Sequence, residues 1–143
     1  MPFHLTIVTP SGEVYRGEAD SIVLPGSEGD FGVLPDHERF LTPLRIGTIA
    51  IQAGGQTIRA AAGDGFAEVT GEQVAVLVDS CDLAADIDPA EAERLRAEAE
   101  RALIGVDRDA DAERYASYES ALELARARVE ASSSLRTPRS SSA

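Results

Sequence analysis

Residues 25–47 read PGSEGDFGVLPDHERFLTPLRIG, and this stretch decides the fold. Gly26, Gly29, Gly32 and Gly47 open backbone angles closed to other residues, while Pro25, Pro35 and Pro43 lock φ and remove amide donors. A helix cannot run through such a segment. The apolar residues Phe31, Val33, Leu34, Phe40, Leu41 and Leu44 nevertheless anchor it, so it reads as tight turns joining short strands. Its polar residues, Glu28, Asp30, Asp36, His37, Glu38 and Arg39, then form a rigid rim suited to contact with another molecule.

Strand signals continue on both sides. Upstream, Phe3, Leu5 and Ile7 alternate with His4 and Thr6, the period of a half-buried strand. Thr9-Pro10-Ser11-Gly12 is a turn, Glu13–Tyr15 begins a return strand, and Ser21–Leu24 is a short apolar run. Downstream, Gly54-Gly55 between 48–52 and 56–61 predicts a hairpin. Phe66–Thr70, with Phe66, Ala67 and Val69 apolar, and 73–79, with Val74, Val76 and Val78 in register, complete the series. Eight to ten short strands without a helical period predict an antiparallel β-sandwich over residues 1–85.

The pattern changes after Cys81. Asp88-Pro89-Ala90-Glu91 is a helix start, with Asp88 as N-cap, Pro89 in the first turn and Glu91 at the capping-box position. Ala92, Leu95, Ala99 and Ala102 fall on one face, and Glu91–Arg94, Glu93–Arg96 and Glu98–Arg101 are spaced for ion pairs. Residues 105–109 break the period, and a second helix from about Asp111 carries a seam of Tyr115, Tyr118, Leu122, Ala125 and Val129. This predicts an antiparallel helical hairpin over 86–131. Alanine facing alanine buries little surface at about 25 cal/mol per Å², so its docked position is marginal and replaceable. From Ser132 the sequence SSSLRTPRSSSA has no pattern and is expected to be a disordered tail, 132–143. The fold class is α+β.

Composition excludes whole classes of activity. At a net charge of −12, the chain lacks the basic patches that nucleic acids and anionic membranes require. From Leu124 to Ala143, however, four arginines stand against Glu130, so this end carries +3 and suits an acidic partner. All thirteen basic residues are arginine, which removes Schiff-base chemistry and a phosphate-binding lysine. With Cys81 alone there is no intrachain disulfide, which fits a cytosolic chain. MPFHLTIV has no charged leader, and no apolar run approaches the roughly 20 residues that span a bilayer.

The run GSEGDFGVLPDH, with LTPL and IG after it, resembles the epsilon subunits of F-type ATP synthases, called delta in mitochondria. The resemblance extends from about Phe3 to Val129 and implies a non-catalytic central-stalk subunit without a cofactor. It implies that Glu28, Asp30, Phe31, His37, Glu38 and Arg39 form an edge meeting the membrane c-ring and the gamma shaft, so that proton flow is coupled to ATP synthesis. The membrane is then reached only through the complex, at the cytoplasmic face of the bacterial inner membrane. Here Asp36 stands where the family usually has Gly, and Glu38-Arg39-Phe40 replaces a small apolar trio. The resemblance also implies transient association with the alpha/beta catalytic subunits, with Arg126 and Arg128 meeting acidic segments of beta and restraining ATP hydrolysis.

Some relatives bind ATP through I/L-D-x-x-R-A. Ile87, Asp88 and Ala92 match it, but Glu91 replaces the arginine, and an anion repels phosphate. Weak or absent ATP binding is expected. Two other classes stay open on the residues alone. One is a free-standing β-sandwich that binds a ligand and dimerises through its hairpin. The other is a small hydrolase using Glu28, Asp30 and His37, for which no nucleophile or metal-ligand spacing is visible.

Overall fold

The computed structural model describes residues 1–136. Ten strands come first: β1 (Phe3–Thr9), β2 (Gly12–Ala19), β3 (Ser21–Gly26), β4 (Gly29–Val33), β5 (His37–Leu44), β6 (Gly47–Ala53), β7 (Gln56–Ala62), β8 (Gly65–Gly71), β9 (Gln73–Val78) and β10 (Cys81–Leu83). They lie in the order β10-β7-β6-β3-β5-β8-β9-β1-β2, with β4 attached to β3. The pairs are antiparallel apart from β1 with β9, which run parallel with Leu5 beside Val74 and Ile7 beside Val76.

The alternation read from the sequence sets the core. Phe3, Leu5 and Ile7 of β1 pack with Ile22, Leu24, Ile49, Ile51, Val69 and Val76, all essentially enclosed. The hairpin of β6 and β7 turns on Gly54 (φ 58°) and Gly55 (φ 80°), two left-handed positions that set the strand twist. One apolar residue of β8 is on the other face. Ala67 and Val69 point inward, so Phe66 is thrown outward and is 53% exposed.

A 3-10 turn at Ala84–Asp86 leads to α1 (Pro89–Ile104) and α2 (Ala112–Arg136). Asp88 caps α1, its carboxylate accepting from the Ala90 and Glu91 amides at 3.0 and 3.4 Å. Between the helices Asp107 accepts from the Asp109 and Ala110 amides, and Asp111 accepts from Arg114 at the start of α2. Glu93–Arg96 pairs as spaced, at 2.7 Å, and Glu91–Arg94 at 4.0 Å. Glu98, however, takes Arg94 one turn back at 2.9 Å instead of Arg101.

The boundary expected at 131 falls inside α2, which runs on to Arg136. Ser132 is buried, its hydroxyl donating to the Val129 carbonyl at 3.2 Å, and Ser133 donates to Glu130 at 3.0 Å. Tertiary burial overrides the weak helix preference of serine, and the hydroxyls turn back onto helix carbonyls to satisfy themselves. The rest of the expected tail, 137–143, lies outside the described residues.

The carboxyl half of α2 lies on β6, β7 and the 3-10 turn. This second core is built from Ala61, Ala84, Ile87, Ala92, Ala127 and Ala131, with Val129 against it. In the seam between the helices, Leu122 and Ala125 are buried as expected. Tyr115 and Tyr118 are only half-buried, under Arg108 and Arg114 whose guanidinium carbons lie 5.7 and 5.3 Å from the ring centres.

Candidate functional site

Within 25–47, β3 and β4 form a hairpin with Pro25 beside Asp30 and Gly26 beside Gly29. A Cβ on Gly26 would lie 2.6 Å from the Gly29 carbonyl and 2.8 Å from the Phe31 ring, so only glycine fits this crossing. The start of the next segment is sewn to it. The Ser27 amide donates to the Pro43 carbonyl at 3.2 Å and the Arg45 amide to the Pro25 carbonyl at 2.9 Å. Arg45 then donates through Nη2 to Asp30 Oδ1 at 2.5 Å. Between β4 and β5 the chain turns at Asp36, whose φ of 64° is left-handed.

The rim residues are exposed on this frame, but they are not one constellation. Glu28 sits in the Ser27–Glu28 turn, exposed. Asp30 is engaged by Arg45, so it is a bridge within the rim rather than a free carboxylate. Phe31 is half-buried and meets the edge of Phe40 at 5.8 Å, and His37 meets the same ring at 5.0 Å. The His37 Nδ1 lies 3.2 Å from its neighbour's carbonyl, Glu38 O. Glu38 and Arg39 are exposed where the pairing of β5 with β8 shifts register between His37 and Phe40. The rim is thus an aromatic trio flanked by charges, in which Asp30 is engaged by Arg45 and His37 by the Phe40 ring and the Glu38 carbonyl. Among the described residues no group of three or more His, Cys, Asp or Glu could hold a metal ion.

Next to the rim lies a surface that the sequence reading missed. On the outward face of β5, β8, β9 and β1, Pro43 pairs with Phe66, Phe66 with Leu77, and Leu77 with Val8. Leu41, two residues along from Pro43, extends this row; Leu41, Phe66 and Leu77 are 65%, 53% and 51% exposed. The signal was present as the phase of alternation, since Phe66 and Leu77 sit out of step with Ala67, Val69, Val76 and Val78. A contiguous apolar row across neighbouring strands is a docking feature of a sheet, unlike single exposed apolar residues.

The two hairpin arginines differ. Arg126 is exposed and lines a cavity of about 300 Å³ with Arg45, Ile46, Gly47, Glu123 and Glu130. Arg128 is not free. Its Nη1 lies 3.5 Å from Asp82 Oδ2 on β10, across the seam between α2 and the sheet. Ile87, Asp88 and Ala92 have structural work. Ile87 and Ala92 are buried in the alanine core, and Asp88 spends its carboxylate on the helix cap. Ala92, Ala127 and Ala131 of the hairpin are buried in this second core. Cys81 pairs with Ala62 at the sheet edge, where burial, and then the Asp82 carboxylate, pushes its thiol up to about 11. Among the described residues no helix is long and apolar enough to cross a membrane.

Comparison with known proteins places these features in one family. The beta-sandwich domain of the ATP synthase delta/epsilon chain matches residues 2–84. The ATP synthase epsilon chain of Nitratidesulfovibrio vulgaris (strain DP4) is 40% identical over 126 residues, 88% of this chain and 92% of that one. The ATP synthase epsilon chain of Synechococcus sp. (strain RCC307) is 35% identical over 131 residues, 92% of this chain and 97% of that one. Among solved structures, a chain of the Euglena gracilis mitochondrial ATP synthase, OSCP/F1/c-ring, shares the fold. Its TM-score is 0.75 at 22% identity, over 91% of this chain and 80% of that one. A chain of the Tetrahymena thermophila mitochondrial ATP synthase central stalk and c-ring superposes with a TM-score of 0.62 at 18% identity, over 92% of this chain and 97% of that one. The β-body, the rim and the helical hairpin therefore belong to one lineage, and the protein is a member of the ATP synthase delta/epsilon chain family.

Proposed function

We propose that the protein is a central-stalk subunit of a proton-translocating F-type ATP synthase, joining the gamma shaft to the c-ring so that proton flow is coupled to ATP synthesis. The observation that carries the reading is the outward row Pro43, Phe66, Leu77 and Val8 beside the rim. A closed β-body needs no such row for its own stability, whereas a body clamped to a shaft does. The row takes the shaft. The rim of Glu28, Phe31, His37, Glu38 and Arg39 takes the polar loops of the ring, and Asp30 acts there by holding Arg45.

The subunit does no chemistry of its own. It couples by being stiff: torque passes through a sheet whose core is enclosed. Its place is peripheral, at the cytoplasmic face of the bacterial plasma membrane, and it meets the lipid only through the complex. Ile87, Asp88 and Ala92 hold the hairpin, and nucleotide binding there is weak or absent. The hairpin lifts from its alanine seat to present Arg126 and Arg128 to acidic segments of the catalytic subunits, which restrains hydrolysis.

Immunoprecipitation of the tagged chain from membranes tests the main reading. Gamma and the c-ring are expected in the precipitate, and recovery of an unrelated stoichiometric partner overturns it. Truncation after Asp86 tests the hairpin: ATPase activity of the assembled complex is expected to rise, and unchanged activity counts against restraint.

A further inference from the structure

The seat of α2 on the sheet is short of adhesion. Ala61, Ala84, Ala127 and Ala131 make up most of it, and only Ile87 and Val129 add larger apolar side chains, so little volume keys one surface into the other. Among the described residues one ion pair crosses this seam, Arg128 with Asp82 at 3.5 Å. Arg128 Nε is enclosed with no acceptor, so its planar fork is met on one side only. Arg126, two residues earlier, stays exposed.

We propose that Asp82 is an internal stand-in for the carboxylates of an acidic partner. It clasps the hairpin down and, in the same contact, withholds Arg128. This rests on the reading above, in which the lifted hairpin meets acidic segments. The two uses compete, because Arg128 is half-buried against Asp82 and has to leave that seam before its fork can take a partner carboxylate. Arg126 is available in either position, so an acidic partner can touch first at Arg126 and then compete with Asp82 for Arg128. The idle Nε gives the competition its direction: leaving the seam returns that donor to water or to a better-placed oxygen.

The test uses the full, isolated chain. Hydrogen exchange of α2 amides 122–131 is compared between wild type, Asp82→Asn, and the swap Asp82→Arg with Arg128→Asp. A half-exposed pair of this kind predicts exchange about two- to fivefold faster in Asp82→Asn and restored by the swap. Unchanged exchange in Asp82→Asn, or no restoration by the swap, overturns the clasp. A glutamate-rich peptide serves as the acidic probe and is expected to bind Asp82→Asn about two- to fivefold more tightly than wild type. Equal binding, or none to either, overturns the stand-in. These outcomes are read without the complex, so they fail separately from rotor membership, which co-purification decides.

Discussion

Arg45 reaches back fifteen residues to grip Asp30 at 2.5 Å, tying the tip of the β3–β4 hairpin to the chain leaving β5. Both side chains are about half exposed, at 48% and 59%, so water screens much of the attraction. Arg45→Ala is expected to lower global stability by only about 0.2–1 kcal/mol. The local effect is larger: amides 27–30 should exchange faster while the core strands are unaffected. A loss beyond about 2 kcal/mol in denaturant melts contradicts this, since a surface pair does not supply it.

Asp36 occupies a left-handed position at φ 64°. Glycine prefers that region and aspartate offsets its Cβ strain through a short polar side chain, whereas alanine carries the same Cβ with no such compensation. Asp36→Ala should cost about 1 kcal/mol and Asp36→Gly should be no less stable than wild type. Chemical denaturation of the two variants side by side gives the answer, and equal losses in both would remove backbone strain as the reason.

Ala131 is wholly enclosed where α2 sits on the sheet. Leucine has no room there, and overpacking costs about 1–3 kcal/mol. With so little adhesion in the seam, Ala131→Leu should lift the hairpin rather than unfold the sheet. Limited proteolysis should then cut α2 while residues 1–85 persist. Loss of the whole chain to the protease contradicts this.

The Cys81 thiol is raised to about 11 from 9.0, first by burial and then by Asp82. A thiol raised in the folded state favours its neutral form, so its contribution to stability is complete below its unfolded value and fades as pH climbs towards 11. Alkylation by iodoacetamide at pH 8 should be about a hundredfold slower than in denaturant, following the thiolate fraction. Equal rates sink the assignment.

Nucleotide binding through Ile87, Asp88 and Ala92 would require two buried residues and a capping carboxylate to leave their places. Millimolar ATP should leave the amide spectrum of the isolated chain unchanged. Clear, saturable shifts would contradict this.

Much of this architecture was legible in the residues. The alternation of Phe3, Leu5 and Ile7, the Gly54-Gly55 turn, and the Asp88-Pro89 helix start each carry local physics that tertiary contacts only confirm. The resemblance of GSEGDFGVLPDH supplied the family, which no local rule could reach.

What escaped was set at long range. The parallel pairing of β1 with β9 joins neighbours in the sheet that lie far apart in sequence, and no local pattern encodes it. Asp30 and Arg45 look like two surface charges until β3, β4 and β5 bring them together. Arg128 read as a free cation because its partner, Asp82, lies in β10, a three-residue strand at a change of composition. The helix limit at Ser132 was missed because burial on the sheet, not propensity, continues the helix there.

The parallel seam of β1 against β9 also sets a timetable for the newborn chain. β1 is made long before β9 and waits, with one edge open, until almost the whole β-body has been translated. A stalled fragment ending before Gln73 therefore keeps the β2 pairing of β1 but leaves its other edge unpaired, the kind of open strand edge that invites aggregation.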